Sequence, residues 1–263
     1  MSLLFFRKKI VGIALSGGGS RGIAHLGVLK ALEEMGVDIQ VVSGTSAGSI
    51  AAALYASGMS TDEIYNHMKN KKFIDYAKII LPTDGLMNLD NLRKNLNEIL
   101  KKKSFEEMEK KLYIALTNLY SGEIEYMHHG SVIDAVIASS SIPILFSPVE
   151  INGQKYTDGG VIDNLPIKPL LSHCDIIIAV DVMAPEVISK IDNLHDVAIR
   201  TFQLSISSIS KEMKKQCDML IEPHGLDEFN ILDVSHFDRI YKIGYYAVMS
   251  HPKLHKLLKK IKK

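Results

Sequence analysis

The sequence is poor in cysteine, in net charge and in long apolar runs. Only two of its 263 residues, Cys174 and Cys217, are cysteines. A disulfide-stapled scaffold is therefore not indicated, and a reducing compartment is favoured. The net charge of +1 gives no general case for nucleic-acid binding. No apolar run is long enough to span a bilayer, and the first residues place apolar side chains before the charged ones, unlike a secretory signal. These absences predict a cytoplasmic protein, or one that is peripheral at the inner face of a membrane.

Both ends of the chain combine apolar with basic residues. Four apolar residues precede Arg7-Lys8-Lys9, and near the C-terminus lysines alternate with apolar residues at helical spacing, Leu254, Leu257, Leu258 and Ile261. A basic amphipathic helix can lie on an anionic lipid surface. Most amphipathic helices instead pack their apolar stripe against a protein core. Both interpretations stay open, and membrane contact through the basic termini is one predicted partner interaction.

Apolar periodicity predicts strands that alternate with helices through most of the chain. The predicted strands are 10–15, 37–42, 112–117, 123–127, 149–151, 154–156, 175–181 and 219–222. The predicted helices are 23–35, 49–56, one that begins at the Ser60 capping box, 89–101, 131–139, 192–216 and one or two near the C-terminus. Such alternation is typical of an α/β fold with a mostly parallel sheet and helices on both faces.

The chain shows no internal repeat, no low-complexity linker and no break in composition. We therefore expect one domain over residues 1–263, with a core over about 8–225 and C-terminal helices over about 236–263. A chain of this length can bury one large core.

The strongest chemical signal is Gly44-Thr45-Ser46-Ala47-Gly48, a G-x-S-x-G sequence. A predicted strand precedes it and a run of helix formers follows it. A serine on such a strand-to-helix turn is exposed with a helix N-terminus behind it, which indicates a nucleophile. The alternative is a serine that caps the helix in a tight turn.

A glycine-rich loop, Gly17-Gly18-Gly19-Ser20-Arg21-Gly22, connects the first strand to the first helix. It also satisfies G-x-G-x-x-G, with Asp38 about twenty residues further on, which is typical of dinucleotide binding. That interpretation does not explain the G-x-S-x-G sequence, and Asp38 lies about one strand length too early. The same loop can present N–H groups to the oxyanion of an acyl transfer. Arg21 either adds positive charge there or pairs with a carboxylate.

A third candidate site is Asp158-Gly159-Gly160, directly after the Asn152-Gly153 hairpin turn. An aspartate followed by two glycines can approach a neighbouring loop closely. Asp-Gly is also a common turn pair, and taken alone that interpretation is favoured.

Together, in this order, the three motifs resemble those of the patatin-like phospholipase family, G-G-G-x-R/K-G, G-x-S-x-G and D-G-G/A. The resemblance covers about residues 8–225 with no departure at a motif position, and Ala138 to Phe146 is similar to a stretch that precedes the family's catalytic aspartate. It implies a three-layer α/β sandwich and a Ser-Asp dyad, with Ser46 as nucleophile and Asp158 as general base. It further implies an oxyanion hole and glycines that support the motifs. The oxyanion residues are Gly17, Gly18, Gly19 and Arg21, and the supporting glycines are Gly44, Gly48, Gly159 and Gly160.

The implied function is hydrolysis of lipid acyl esters, of the phospholipase or lysophospholipase type, through an acyl-enzyme and without a cofactor. Two other functions stay open: an acyl-carrier-protein transacylase, which normally has histidine where this chain has Thr45, and a nucleotide-binding module. A triad with His224 or His236 as base is also compatible with the order of residues. The adjacent His128 and His129 would point to opposite faces of a strand, which disfavours metal. Residues 73–87 form either an apolar cover near the acyl pocket or ordinary core.

Overall fold

A computed structural model describes residues 7–69, 89–183, 211–231 and 234–262, together with five separate positions between 191 and 204 (only the backbone at 211 and 212). The eight strands are β1 Val11–Leu15, β2 Val41–Gly44, β3 Lys111–Asn118, β4 Ile124–Met127, β5 Val149–Ile151, β6 Gln154–Asp158, β7 Ile176–Val180 and β8 Met219–Ile221. The α-helices in the described part are α1 Ile23–Glu34, α2 Ala47–Ala56, α3 Thr61–Lys69, α4 Asp90–Ile99, α5 Val132–Ser139, α6 Lys211–Lys214, α7 Phe237–Met249 and α8 Leu254–Lys262.

The strands form one mixed sheet in the order β5-β6-β3-β2-β1-β7-β8, with β4 paired to β3. The central strands β3, β2, β1, β7 and β8 are parallel, while β4 and β6 pair antiparallel with β3, and β5 pairs antiparallel with β6. In register, Leu15 lies between Gly44 and Val180, so the carboxyl ends of β2, β1 and β7 meet at one edge. Ligand sites of open α/β sheets form at such an edge, and here it brings residues 16–22 next to residues 45–48.

One face of the sheet carries the large core, which contains residues from α1, α2, α3, α4, α5, α7 and α8. The other face is covered by a smaller cluster in which Leu165, Ile167 and Leu170 pack on strand residues. Met213 of α6 is partly buried against this cluster. The expected α/β architecture with a mostly parallel sheet is thereby confirmed. The predicted helix over 192–216 falls mostly outside the described residues, as does the segment 73–87.

Most element predictions are confirmed, and the local signals explain them. Ser60 and Glu63 form the predicted capping box, with Ser60 N–H donating to Glu63 Oε2 at 2.9 Å before α3 begins. Asn152 and Gly153 both have positive φ, 51° and 75°, as a two-residue hairpin turn of type I′ requires. Gly36 ends α1 with a φ of 73°.

The starts of β2 and α2 and the orientation of two histidines differ from the predictions, and other element ends shift by one or two residues. β2 begins at Val41 rather than 37, because Val37 N–H still closes the end of α1 by donating to Leu32. α2 begins at Ala47 rather than 49. His128 and His129 follow β4 instead of lying in it, and their rings meet edge to face with centroids 5.4 Å apart. The alternation of a strand therefore does not apply to them, and the predicted opposite orientation was wrong.

The described basic residues that pair near both ends of the chain lie at the amino-terminal edge of the parallel strands. Arg7 pairs with Asp175 before β7, Lys8 with Asp38 before β2, and Lys260 with Asp218 before β8. The apolar stripe of α8 packs against the core, with Leu257 buried and Leu254, Leu258 and Ile261 partly buried. No helix in the described part of the chain is long and apolar enough to cross a membrane.

Candidate active site

Ser46 stands on the sharp turn between β2 and α2 in a strained backbone conformation. Its φ of 51° and ψ of −124° lie outside the regions that residues with a side chain ordinarily adopt. Its own N–H donates to Ser139 Oγ at 2.9 Å, and its carbonyl accepts from the N–H of Ser49 at 2.8 Å and from the Ser49 hydroxyl at 2.6 Å. The residue is 8% exposed, so the strained turn holds a nearly buried hydroxyl in one place.

Asp158 ends β6 and is almost fully buried. Its Oδ1 accepts the Gly160 N–H at 2.8 Å, while its Oδ2 has no partner in hydrogen-bond geometry among the described residues. Burial raises the pKa of this carboxyl to about 7, and the Ser46 side chain and the Gly160 N–H both oppose that rise. The Ser46 hydroxyl is therefore close enough to lower the pKa of the Asp158 carboxyl, although the two groups do not meet in hydrogen-bond geometry. The structure thus brings the two predicted catalytic residues together.

The end of α5 connects the backbones of these two residues. The Ser139 hydroxyl accepts from Ser46 N–H and donates to the carbonyl of Ala115 in β3 at 2.8 Å. The Ser141 carbonyl accepts the N–H of Asp158 at 3.0 Å and the hydroxyl of Thr157 at 2.6 Å. The sequence signalled this stretch only through its likeness to the family pattern, and these contacts give it a physical role.

The glycine-rich loop lies directly against Ser46, but its N–H groups are not equivalent. A Cβ at Gly17 would lie 3.0 Å from Ser46 Cβ, so the absent side chain permits this approach. The Gly17 N–H is already used, since it donates to the Asn164 carbonyl at 3.1 Å. Within the described residues, no hydrogen bond is made by the N–H of Gly18, Gly19 or Ala47. The Ala47 donor was not predicted, because a backbone N–H leaves no mark on the residue type.

The supporting glycines are places where backbone packs on backbone. A Cβ on Gly48 would lie 2.5 Å from the Ser16 carbonyl oxygen, and one on Gly44 would lie 2.5 Å from the carbonyl oxygen of Gly48. A Cβ on Gly159 would clash with the carbonyl of Ala115. Real side chains do not tolerate such distances, so these positions set the spacing between β1, α2 and the turn at Asp158.

Arg21 is buried, and its guanidinium is directed toward the chain segment 227–231. Its Nε donates to the Phe229 carbonyl at 3.0 Å, and its Nη2 donates to the Asp227 carbonyl at 3.5 Å. The neighbouring Ser20 N–H donates to the Ile231 carbonyl at 2.8 Å. In this arrangement Arg21 ties the glycine-rich loop to the C-terminal part of the chain.

An apolar cavity of about 180 Å³ opens beside Ser46. Its wall includes Ser46, Ala47, Gly19 and Ser140, and the rest of the lining is mostly aliphatic and aromatic. The apolar part comprises Ile23, Ile50, Ala51, Met68, Leu89, Leu92, Ile142, Phe146, Ile231, Val234 and Phe237. Such a lining suits a hydrocarbon chain and offers little to a charged group.

The alternative site residues lie elsewhere. His224 is exposed beside a second cleft near α7, and the His236 ring lies tilted against Phe229 with centroids 5.4 Å apart. No histidine is found among the described residues that line the Ser46 cavity. Asp38 is bound to Lys8 at the amino-terminal edge, at 2.6 Å, whereas a ribose ligand would be needed at the carboxyl end of β2. In the described part of the chain, no three His, Cys, Asp or Glu side chains gather as a metal site would require.

Comparison with protein families matches residues 13–171, more than half of the chain, to patatin-like phospholipases. The chain belongs to the patatin-like phospholipase family. The matched segment contains the glycine-rich loop, Ser46 and Asp158. The segment 227–231, which holds Arg21, lies beyond it.

Curated relatives of this family member include fungal lysophospholipases. Lysophospholipase NTE1 of Meyerozyma guilliermondii is 28% identical over 89% of this chain, and lysophospholipase nte1 of Aspergillus niger is 30% identical over 89%. The match takes up only 19% and 17% of those proteins. The chain therefore spans less than a fifth of the length of these relatives.

Two solved structures share the fold. VipD from Legionella pneumophila superposes with a TM-score of 0.55 at 17% identity, covering 97% of this chain and 67% of that one. Human GIVD cytosolic phospholipase A2, in complex with methyl gamma-linolenyl fluorophosphonate, gives 0.50 at 12% identity and covers 97% of this chain and 58% of that one. At such low identity the likeness supports the patatin fold alone.

Proposed function

We propose that this protein hydrolyses lipid acyl esters, as a phospholipase or lysophospholipase, with Ser46 as nucleophile and Asp158 as general base. The observation that carries the proposal is the placement of a strained serine beside a buried carboxyl with one unpaired oxygen, at the wall of an apolar cavity. The fungal relatives that bear the name lysophospholipase support the same substrate class.

The proposed reaction begins when Ser46 Oγ attacks the ester carbonyl carbon. The hydroxyl proton passes to Asp158 Oδ2, which accepts no other donor among the described residues. A carboxyl whose pKa is near 7 is a much better base than one at its usual value of 3.8. Burial thus supplies the basicity that a histidine provides in other serine hydrolases.

The negative charge on the carbonyl oxygen needs donors in place before the reaction. We propose the N–H groups of Gly18, Gly19 and Ala47, which are unpaired within the described chain and lie on the two loops that flank Ser46. The N-terminus of α2 adds positive potential at the same point. Removal of one such donor typically costs a hundredfold or more in rate, about 3 kcal/mol.

Collapse of the tetrahedral intermediate expels the alcohol, which takes the proton from Asp158, and leaves the acyl group on Ser46. Water then attacks this ester while Asp158 accepts its proton. The fatty acid leaves as Ser46 Oγ regains a proton. The apolar cavity would hold the acyl chain in both halves of the reaction.

The test uses Ser46→Ala and Asp158→Asn, assayed with a nitrophenyl acyl ester and with lysophosphatidylcholine. We expect each substitution to lower kcat/KM at least a thousandfold, and a fluorophosphonate to label Ser46 in the unmodified protein. The matched controls are Ser57→Ala, a helix-end serine, and Asp163→Asn, a partly buried aspartate that binds Tyr126. Either control should stay within about threefold. Activity in Ser46→Ala within tenfold of the parent would contradict the proposal.

Cytoplasmic location and lipid contact through the termini stay predictions. If the lysines of α8 contact an anionic membrane, the contact should be electrostatic, since the apolar stripe of that helix is packed against the core. The described parts of both termini also lie at the sheet edge away from Ser46.

A further inference from the structure

Asn164 lies six residues after Asp158 and is 4% exposed. Its backbone carbonyl and its side-chain amide both contact Gly17. The Asn164 backbone carbonyl accepts the Gly17 N–H at 3.1 Å, and its Nδ2 lies 3.4 Å from the Gly17 carbonyl as a donor. Its Oδ1 occupies the space that a side chain on Gly17 would need. The Asn164 side chain is therefore fitted against this one glycine.

These contacts fix the orientation of the Gly17–Gly18 peptide. In a planar peptide, the carbonyl of one residue and the N–H of the next point in opposite directions. The Gly17 carbonyl is held by Asn164 Nδ2 and by the Ser16 hydroxyl at 3.1 Å. The Gly18 N–H must then point away from Asn164. It is one of the unpaired donors beside Ser46.

The preceding peptide is fixed from the other side. His25 is completely buried and its Nε2 lies 2.8 Å from the Ser16 carbonyl. Burial lowers the pKa of His25 to about 4, so the ring is neutral at ordinary pH and Nε2 carries the donated hydrogen. The Ser16 hydroxyl also accepts the Val182 N–H at 3.0 Å. Glycines would otherwise leave this loop free to sample many conformations.

We infer that Asn164 is a positioning residue that holds the Gly17–Gly18 peptide, so that the Gly18 and Gly19 N–H groups are pre-oriented for the oxyanion. The inference rests on the proposed function. The segment 158–164 would then have two roles, because Asp158 serves as the general base and Asn164 holds the glycine-rich loop. The side chain does not touch the reacting atoms and acts only through the backbone of Gly17.

The experiment compares Asn164→Ala and Asn164→Asp with the parent protein, using a nitrophenyl ester and kcat per active site from a fluorophosphonate titration. Asn164→Asp keeps the shape but replaces the Nδ2 donor with an acceptor. The matched control is Asn118→Ala, a buried asparagine that binds backbone N–H groups of the turn after β3. We expect kcat to fall 10- to 100-fold in both Asn164 variants with KM within threefold of the parent. The rate of fluorophosphonate inactivation should fall by a similar factor, because the phosphonyl oxygen uses the same donors.

A residue with only a structural role would reduce the number of titrated sites but leave kcat per site intact. The inference is overturned if kcat per site stays within threefold in both Asn164 variants, or if KM alone rises. It is also overturned if Asn118→Ala loses kcat per site to the same extent. If Ser46→Ala keeps its activity, the proposed function fails first, and that outcome is separate from any result at Asn164. Should Asn164→Ala not fold, the isosteric Asn164→Asp variant alone decides.

Discussion

The two edges of the parallel sheet differ in their buried polar atoms. At the amino-terminal edge, charges that precede the strands are paired, as in Arg7 with Asp175 and Lys8 with Asp38. At the carboxyl-terminal edge lie all three of the described buried side-chain atoms without a partner, which are His25 Nδ1, Ser140 Oγ and Asp158 Oδ2. The strained Ser46 backbone is at this edge too.

The difference shows where the fold tolerates an energetic cost. A buried polar atom without a partner costs about 1–3 kcal/mol, so native structures keep few of them. Here they lie near the Ser46 turn and the glycine-rich loop, where an unpaired carboxylate oxygen can accept a proton and unpaired N–H groups can receive an oxyanion. The ion pairs of the amino-terminal edge support the fold, and the unpaired groups of the carboxyl-terminal edge can take part in the proposed reaction.

The largest expected effect is on stability, from removal of the buried charge at Asp158. Its pKa is raised from 3.8 to about 7, so between these values the unfolded chain ionises while the folded protein does not, and stability falls as pH rises. Asp158→Asn has no such loss. We expect the inactive variant to be more stable at pH 8 by up to about 4 kcal/mol and equally stable near pH 3, measured by urea unfolding.

The opposite edge supplies the contrasting control. The Lys8 ammonium lowers the pKa of Asp38 mainly by hydrogen bonding. Ionised Asp38 therefore adds stability above its unfolded pKa, which is lost as pH falls. Asp38→Asn should be less stable than the parent at pH 8, by under about 1 kcal/mol for so exposed a pair. Equal signs for the two substitutions would contradict the comparison.

Activity should follow the ionisation of the same carboxyl. A general base works only when deprotonated, so kcat/KM should rise with pH and level off above about 7. At pH 5 the rate should be about a hundredth of the plateau, since each pH unit below the pKa lowers the ionised fraction about tenfold. The measurement is hydrolysis of a nitrophenyl ester between pH 5 and 9 with the ionisation of nitrophenol corrected. A flat profile would exclude Asp158 as the titrating base.

Backbone crowding also separates a glycine of the site from a glycine in an open hairpin turn. A Cβ at Gly48 would lie 2.5 Å from the Ser16 carbonyl oxygen, so Gly48→Ala should cost about 2 kcal/mol and most of the activity. In an open helix the same change is normally favourable. Gly153→Ala, in an uncrowded turn with a φ of 75°, should cost about 1 kcal/mol from backbone strain alone and leave kcat unchanged. Thermal unfolding and ester hydrolysis test both, and equal activity losses would refute the distinction.

The smallest effect is expected from an ion pair at the amino-terminal edge of the sheet. Lys260→Ala removes a partly exposed ion pair with Asp218, which should cost less than about 1 kcal/mol and be masked in 1 M salt. Activity should stay within twofold. A large loss of activity would mean that this edge is coupled to the site.

The features predicted correctly from the sequence are those that depend on residues close together in the chain. Ser46, Asp158 and the glycine-rich loop follow from motifs, and the capping box and hairpin turn follow from short-range chemistry. The partners of the loop did not follow, because Gly17 meets Asn164 across 147 residues and Arg21 meets Phe229 across 208. Neither contact has a sequence pattern, since in each a side chain donates to a backbone carbonyl, which leaves no mark on the residue type of the acceptor.

The contacts of Arg21 limit how far the chain can be shortened at its C-terminal side. Its buried guanidinium is held by the Phe229 and Asp227 carbonyls, outside the segment 13–171 that matches the family. A fragment that ended near residue 171 would lack these acceptors, so the guanidinium would be exposed and the loop beside Ser46 would lose this anchor. We therefore expect the segment that matches the family to need the C-terminal part of the chain to hold its glycine-rich loop in place.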